Sequence, residues 1–307
     1  MNQRPKYIVY APHFDETSGG SIFLHLLVHN LNELGESAAI WPWKAPAQFS
    51  MRNWMRACVR QPRLIIEPAL GEKLWPKLRT GPSLNTPQAR RGDLTKESIV
   101  IYPEVTLGNP LGAQNVVRWL LYTPGVKEPF DFTPEELFFR AGAMSDLPDI
   151  TGGAPDLFVW YRNPVYRNEY RPDRKGVCYT LRKGKDKPRI PETEQGNAIC
   201  IDGMSHEETA EIFNKSSIFY SYDEATFYSQ YAALCGCLSI IVPGQYASRE
   251  DWVAAHPLGR FGVAYGDDDR DHALATMHQM EDLLDEKVQD SLRSVRAFIE
   301  HTKGRFS

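Results

Sequence analysis

Ile218-Phe219-Tyr220-Ser221-Tyr222-Asp223-Glu224-Ala225-Thr226-Phe227-Tyr228-Ser229-Gln230-Tyr231-Ala232-Ala233-Leu234-Cys235-Gly236-Cys237-Leu238-Ser239-Ile240-Ile241-Val242-Pro243 is the stretch that decides the fold. Residues 218–220 are β-branched and aromatic, as a strand requires. Residues 226–235 are mostly small and apolar and end on Gly236, which reads as a buried helix. Residues 238–242 form a second strand, closed by Pro243. Strands joined through a helix must run parallel. Oxygen-bearing side chains crowd the strand-to-helix turn: Ser221, Tyr222, Asp223, Glu224, Thr226 and Ser229. A helix start offers unpaired N–H groups and a positive dipole end, which suits a diphosphate. Asp223 or Thr226 can cap the helix, Thr226 can instead face a phosphate, and Glu224 is available for ribose hydroxyls. The plainer reading, that Asp223, Thr226 and Ser229 only cap the helix, stands beside it.

The same grammar extends to both sides. Upstream, 176–181 is a strand followed directly by the cationic turn Arg182-Lys183-Gly184-Lys185. Cations at the carboxyl end of a strand on the same sheet edge can clamp a diphosphate and stabilise its departure. A solvated basic loop is the usual alternative. Residues 198–201 form the next strand, and 205–214 a helix with Ser205 and Glu208 in capping-box spacing. Downstream come a short strand at 261–265 and two amphipathic helices, 272–284 and 287–302.

The first half opens on a β–α–β unit. A strand at 7–11 leads through His13-Phe14-Asp15-Glu16-Thr17-Ser18-Gly19-Gly20 into a helix with apolar residues at helical spacing, ended by Gly35. A strand over 38–41 follows. Gly19 and Gly20 let backbone N–H groups approach a ligand, and His13 or Asp15 is placed as a general base. The G-x-G-x-x-G fingerprint is absent and no acid ends the second strand, which disfavours a dinucleotide-binding dehydrogenase. Further on, 98–102 is a strand ending in Pro103-Glu104, which makes Glu104 another candidate base. Gly108-Asn109-Pro110 leads into 113–121, whose apolar spacing predicts a helix. Residues 134–140 read as a short helix begun by Thr133 with Glu136 in the capping box, and 157–160 as a strand. The Arg/Tyr/Pro-rich stretch 161–174 marks the boundary. The expectation is an α/β protein with two Rossmann-like domains facing across a cleft: 1–165, 166–285, and a terminal helix, 286–307, packing back on the first.

Composition bounds the function. With 307 residues, 42% hydrophobic and 24% charged, the chain can bury one or two cores. A net charge of −4 gives no footprint for duplex nucleic acid. The cysteines are scattered and make no C-x-x-C pair, which fits reduced thiols in a cytoplasmic protein. No apolar run is long enough to span a membrane, so contact with one would be peripheral, at its inner face. Gly266-Asp267-Asp268-Asp269 lacks calcium-site spacing. His25 and His29 lie one helical turn apart, where surface or core histidines outnumber metal ligands. The expectation is no metal and no cofactor beyond the nucleotide-diphosphate sugar itself.

Three of these features together resemble the GT-B glycosyltransferases: Ser18-Gly19-Gly20 before a long helix, Arg182/Lys183 after the first strand of the second domain, and the segment from Tyr222 to Gly236. Tyr102-Pro103-Glu104 and Gly108-Asn109-Pro110, with Val117-Arg118-Trp119, are similar to bacterial polysaccharide transferases of that class. The resemblance implies transfer of a sugar from a nucleotide-diphosphate donor to a saccharide, lipid-linked saccharide or other hydroxyl acceptor. It implies that Gly19, Gly20, Arg182, Lys183, Ser221, Tyr222, Asp223, Glu224, Thr226 and Ser229 hold the donor. Many such enzymes carry a glutamate where Gln230-Tyr231 stands here. A nucleotide-sugar epimerase and a non-catalytic binding module are the alternatives.

Overall fold

The computed structural model describes residues 6–16, 18–43, 77–81, 83–126, 129–132, 136–142 and 145–306; Thr17, Cys58 and the expected cap Thr133 lie outside them. The chain divides into two units, Met1–Tyr161 with Val288–Ser307, and Arg162–Lys287.

In the first unit, β1 (Tyr7–Ala11), β2 (Ala38–Pro42), β3 (Ile99–Pro103), β4 (Asn115–Leu120) and β5 (Leu137–Arg140) form one sheet in the order β2-β1-β3-β4-β5. Every pairing is parallel. The residues of β2 and β3 are buried throughout, as expected of strands covered on both faces. Between β1 and β2 runs α1 (Gly19–Glu33), capped by Ser18, whose side chain accepts from the Ser21 amide. It stops where Gly35 takes φ +83°, a conformation that favours glycine. Leu24, Leu27, Val28 and Leu31 of α1 pack on Tyr7, Val9 and Ile101 of the sheet, each large apolar side chain contributing about 1.5–3 kcal/mol by burial.

In the second unit, β6 (Val177–Thr180), β7 (Ile199–Cys200), β8 (Ile218–Ser221), β9 (Leu238–Ile241) and β10 (Val263–Tyr265) form a parallel sheet in the order β10-β9-β8-β6-β7. Its longer helices are α2 (His206–Lys215), with the Ser205/Glu208 capping box formed, α3 (Tyr228–Leu234), α4 (Arg249–Ala255) and α5 (Arg270–Thr276). Counted from its own first strand, each sheet runs 2-1-3-4-5. Both units are therefore Rossmann-like α/β folds, and in each the strand order reverses between the first and third strands. Ligands of such sheets bind beyond the carboxyl ends of the strands at that reversal.

The last helix, α6 (Met280–Arg305), is continuous. The break expected at 285–286 falls instead at the short turn Met277–Gln279. Val295, Phe298 and Ile299 of α6 lie in the core of the first unit, and Thr302 shares a 3.0 Å hydrogen bond with the Tyr7 hydroxyl.

Three other expectations fail. Residues 113–121 are not a helix but the strand β4, whose buried Arg118 breaks the apolar alternation that would have marked it. The described part of 134–140 is the strand β5, and Glu136 pairs with Arg118 rather than closing a cap. Residues 157–160 are not a strand, although the Leu157 amide donates to the Arg140 carbonyl of β5 at 2.8 Å. The Phe158 and Trp160 amides donate instead to Ser294 and Ser291 hydroxyls of α6.

Candidate functional site

At the reversal point of the second unit, the chain leaves β6 through Leu181 and turns at Arg182 with φ +41°. That region costs an L-residue about 1–2 kcal/mol, so something must hold it. Asp202, just past β7, does so. Its carboxylate accepts from the Leu181 and Arg182 amides at 3.0 and 3.2 Å and from the Thr180 hydroxyl. Two residues on, Gly184 lies against the chain leaving β8. A Cβ there would sit 1.9 Å from the Tyr222 carbonyl oxygen, so only glycine fits. The basic turn and the segment after β8 are thus pressed together where the strand order reverses.

The charges on this turn are not consumed. Arg182, Lys183 and Lys185 are exposed and form no ion pair among the described residues. Arg182 places its guanidinium 5.2 Å from the Tyr228 ring centroid, an attraction that orients the group without neutralising it. Arg189 lies over Tyr222 and Tyr179 in the same way. Fixed, unneutralised cations are what an anionic ligand requires.

The segment after β8 is more occupied than its sequence promised. Glu224 is buried and accepts from the Gly244 amide at 3.0 Å, the Gln245 amide at 3.2 Å and the Tyr265 hydroxyl at 2.8 Å, while Lys187 pairs with it at 3.0 Å. Burial alone would raise its pKa, but the bonds from Tyr265, Lys187 and Gln245 together hold it below the ordinary carboxylate value. Glu224 therefore ties the loops after β6, β8 and β9 to β10 and is not free for a ribose. Asp223 is likewise turned inward, accepting from the Ala225 amide. The Ser221 hydroxyl donates to the Asp223 carbonyl. Thr226 accepts from the Tyr228 amide at 3.3 Å. The Tyr222 hydroxyl accepts from the Ile190 amide and shares a bond with Thr193. Asp223 and Thr226 thus each bond the amide two residues on, shaping the turn rather than capping the helix, whose N-cap position, Phe227, has no side-chain capping bond. Ser229 differs: its hydroxyl is buried without a partner, as is the Gln230 carbonyl oxygen. The helix they sit on has seven residues, beginning at Tyr228 rather than Thr226, so few peptide dipoles add up at its start.

The corresponding edge of the first unit is organised otherwise. Gly19 and Gly20 are not a turn but the first residues of α1, and a Cβ at Gly19 would meet nothing within 4 Å. His13 is exposed, and its Nδ1 accepts from the Arg79 amide at 3.0 Å. The neutral ring then carries its proton on Nε2, which makes that nitrogen a donor rather than a base. Asp15 is exposed, with its amide bonded to the Ser21 hydroxyl. Glu104 is buried and accepts from the Leu121 amide at 3.0 Å. The loop that follows it is held by Arg118, wholly buried, which donates to the Thr106 and Gly108 carbonyls at 2.6 and 3.0 Å and makes a forked pair with Glu136.

His25 and His29 are engaged in the fold: His25 bonds the Pro12 carbonyl and His29 accepts from the Asn85 amide. No group among the described residues is arranged to hold a metal ion. Asp267 and Asp269 pair with Arg270 and Arg249. No described helix is long and apolar enough to cross a membrane.

Sequence reasoning passed over Asp202, Lys187 and His256. The His256 imidazole bonds the Tyr246 hydroxyl at 3.0 Å. Burial lowers its pKa, with Glu224 and Asp223 opposing and Lys183 adding to the effect, which favours the neutral ring. The one available signal was position, since Asp202 is the first acid after a strand.

No protein-family model matches the chain, and no curated protein matches it in sequence. Among solved structures it is similar to MurG of Acinetobacter baumannii, at 10% identity and a TM-score of 0.34 over 98% of this chain and 100% of that one. It is also similar to T4 phage BGT in complex with UDP and Mn2+, at 10% identity and a TM-score of 0.39 over 96% of this chain and 99% of that one.

Proposed function

We propose that the chain is a metal-independent sugar transferase whose second unit holds a nucleotide-diphosphate sugar and whose first unit serves a saccharide or lipid-linked acceptor. The observation that carries this reading is the exposed, unpaired Arg182 and Lys183 at the reversal point of the second sheet. As the bond to the sugar breaks, negative charge gathers on the departing diphosphate. Cations already standing at that position lower the barrier by stabilising that charge. Arg182 offers a planar fork for two phosphate oxygens and Lys183 a point charge. On the acceptor side, Asp15 is the exposed carboxylate, while Glu104 is buried and His13 presents an N–H.

The test is donor turnover across UDP-, GDP-, ADP-, CMP- and TDP-sugars, wild type against Arg182→Ala/Lys183→Ala. Two charge-assisted contacts at about 1.5 kcal/mol each predict a loss of roughly a hundredfold. Unchanged turnover rules out the clamp. A second reading, a binding module without chemistry, draws support from the engagement of both Glu104 and His13. It predicts donor binding with no product.

A further inference from the structure

We propose that Asp202 is the positioning residue that sets Arg182 for a diphosphate, a proposal that rests on reading this edge as a diphosphate site. An acid beside an anion site has the wrong sign, since its charge repels the ligand. Its bonding explains its presence. Asp202 makes no ion pair with the Arg182 guanidinium among the described contacts. One carboxylate oxygen takes the Leu181 and Arg182 amides and the other the Thr180 hydroxyl. It thus acts on the backbone of the residue it flanks and leaves the guanidinium charge available.

That backbone is unusual. Among the described residues, Arg182 and Tyr170 are the non-glycine positions with positive φ. Such a conformation in a bulky residue persists only where its surroundings impose it. Here it turns the chain so that the guanidinium lies over Tyr228 and Gly184 reaches the Tyr222 carbonyl. Without Asp202 the Leu181 and Arg182 amides lose their acceptor, and Arg182 relaxes toward ordinary φ and away from Tyr228.

The opposing signs make the proposal testable. Binding of inorganic pyrophosphate is measured by calorimetry at fixed ionic strength for wild type, Arg182→Ala, Asp202→Ala, Asp202→Asn and Arg182→Ala/Asp202→Ala. Arg182→Ala is expected to weaken binding about tenfold. Asp202→Ala should weaken it severalfold even though it removes a negative charge, and should cause no further loss in the Arg182→Ala background. Asp202→Asn should recover wild-type affinity or better, because a rotated amide accepts from both backbone donors and donates to Thr180.

Tighter or unchanged binding by Asp202→Ala overturns the proposal, since that is the outcome of a simple field effect. So does a loss that persists undiminished in the Arg182→Ala background, or one that Asp202→Asn fails to restore, since either marks a general structural role. If Arg182→Ala itself binds pyrophosphate as wild type does, the diphosphate reading fails and Asp202 has nothing to position.

Discussion

The two sheets share one strand order, yet their carboxyl edges dispose of charge in opposite ways. At the first, Arg118 is sealed under its loop against Glu136 and two carbonyls, and Glu104 is spent on the Leu121 amide. At the second, Arg182 and Lys183 stand exposed, while an acid that might have neutralised them, Asp202, is bonded to the backbone instead. An arginine near the carboxyl end of a strand is therefore uninformative by itself. What matters is whether its charge has been consumed, and equal topology leaves that open.

The largest effect expected from this contrast is on stability, in the first unit. Arg118→Met leaves Glu136 and the Thr106 and Gly108 carbonyls without this donor and should cost about 3–5 kcal/mol, read as a fall in denaturation midpoint. A midpoint within error of wild type would mean that Arg118 does not hold its loop. A smaller effect is expected in the second unit. Glu224→Gln weakens a carboxylate that binds several donors, for about 1–3 kcal/mol at pH 7. Because the folded-state pKa of Glu224 lies below its ordinary value of 4.5, this stabilisation is complete above the unfolded value and is lost as pH falls through the folded one. The difference between wild type and variant should therefore shrink below about pH 4. A difference independent of pH would assign the loss to packing.

Much of the fold was legible because most strands are short, apolar and bounded by turn residues. β1 was read at its observed limits, and the Ser205/Glu208 cap formed as its spacing required. The failures share a cause, in that each element is defined by a distant partner. β4 looked helical because its buried Arg118 is satisfied by Glu136 and loop carbonyls that no local window contains. Phe158 and Trp160 bond to serines more than a hundred positions away. In the site, the cationic turn could be read from its position after β6, because charge and strand ends are local properties. The roles of Glu224, Asp223 and Thr226 could not, since each depends on which backbone amides fold back within reach. Asp202 was hidden for the same reason.

The central claim is that the anion-binding edge belongs to the second unit. Amide hydrogen exchange with and without saturating pyrophosphate tests it most directly. The account predicts slowed exchange in peptides covering 181–189 and 222–231, with none at 12–20 or 104–112. Protection at the first-unit loops and none at 181–189 would contradict it.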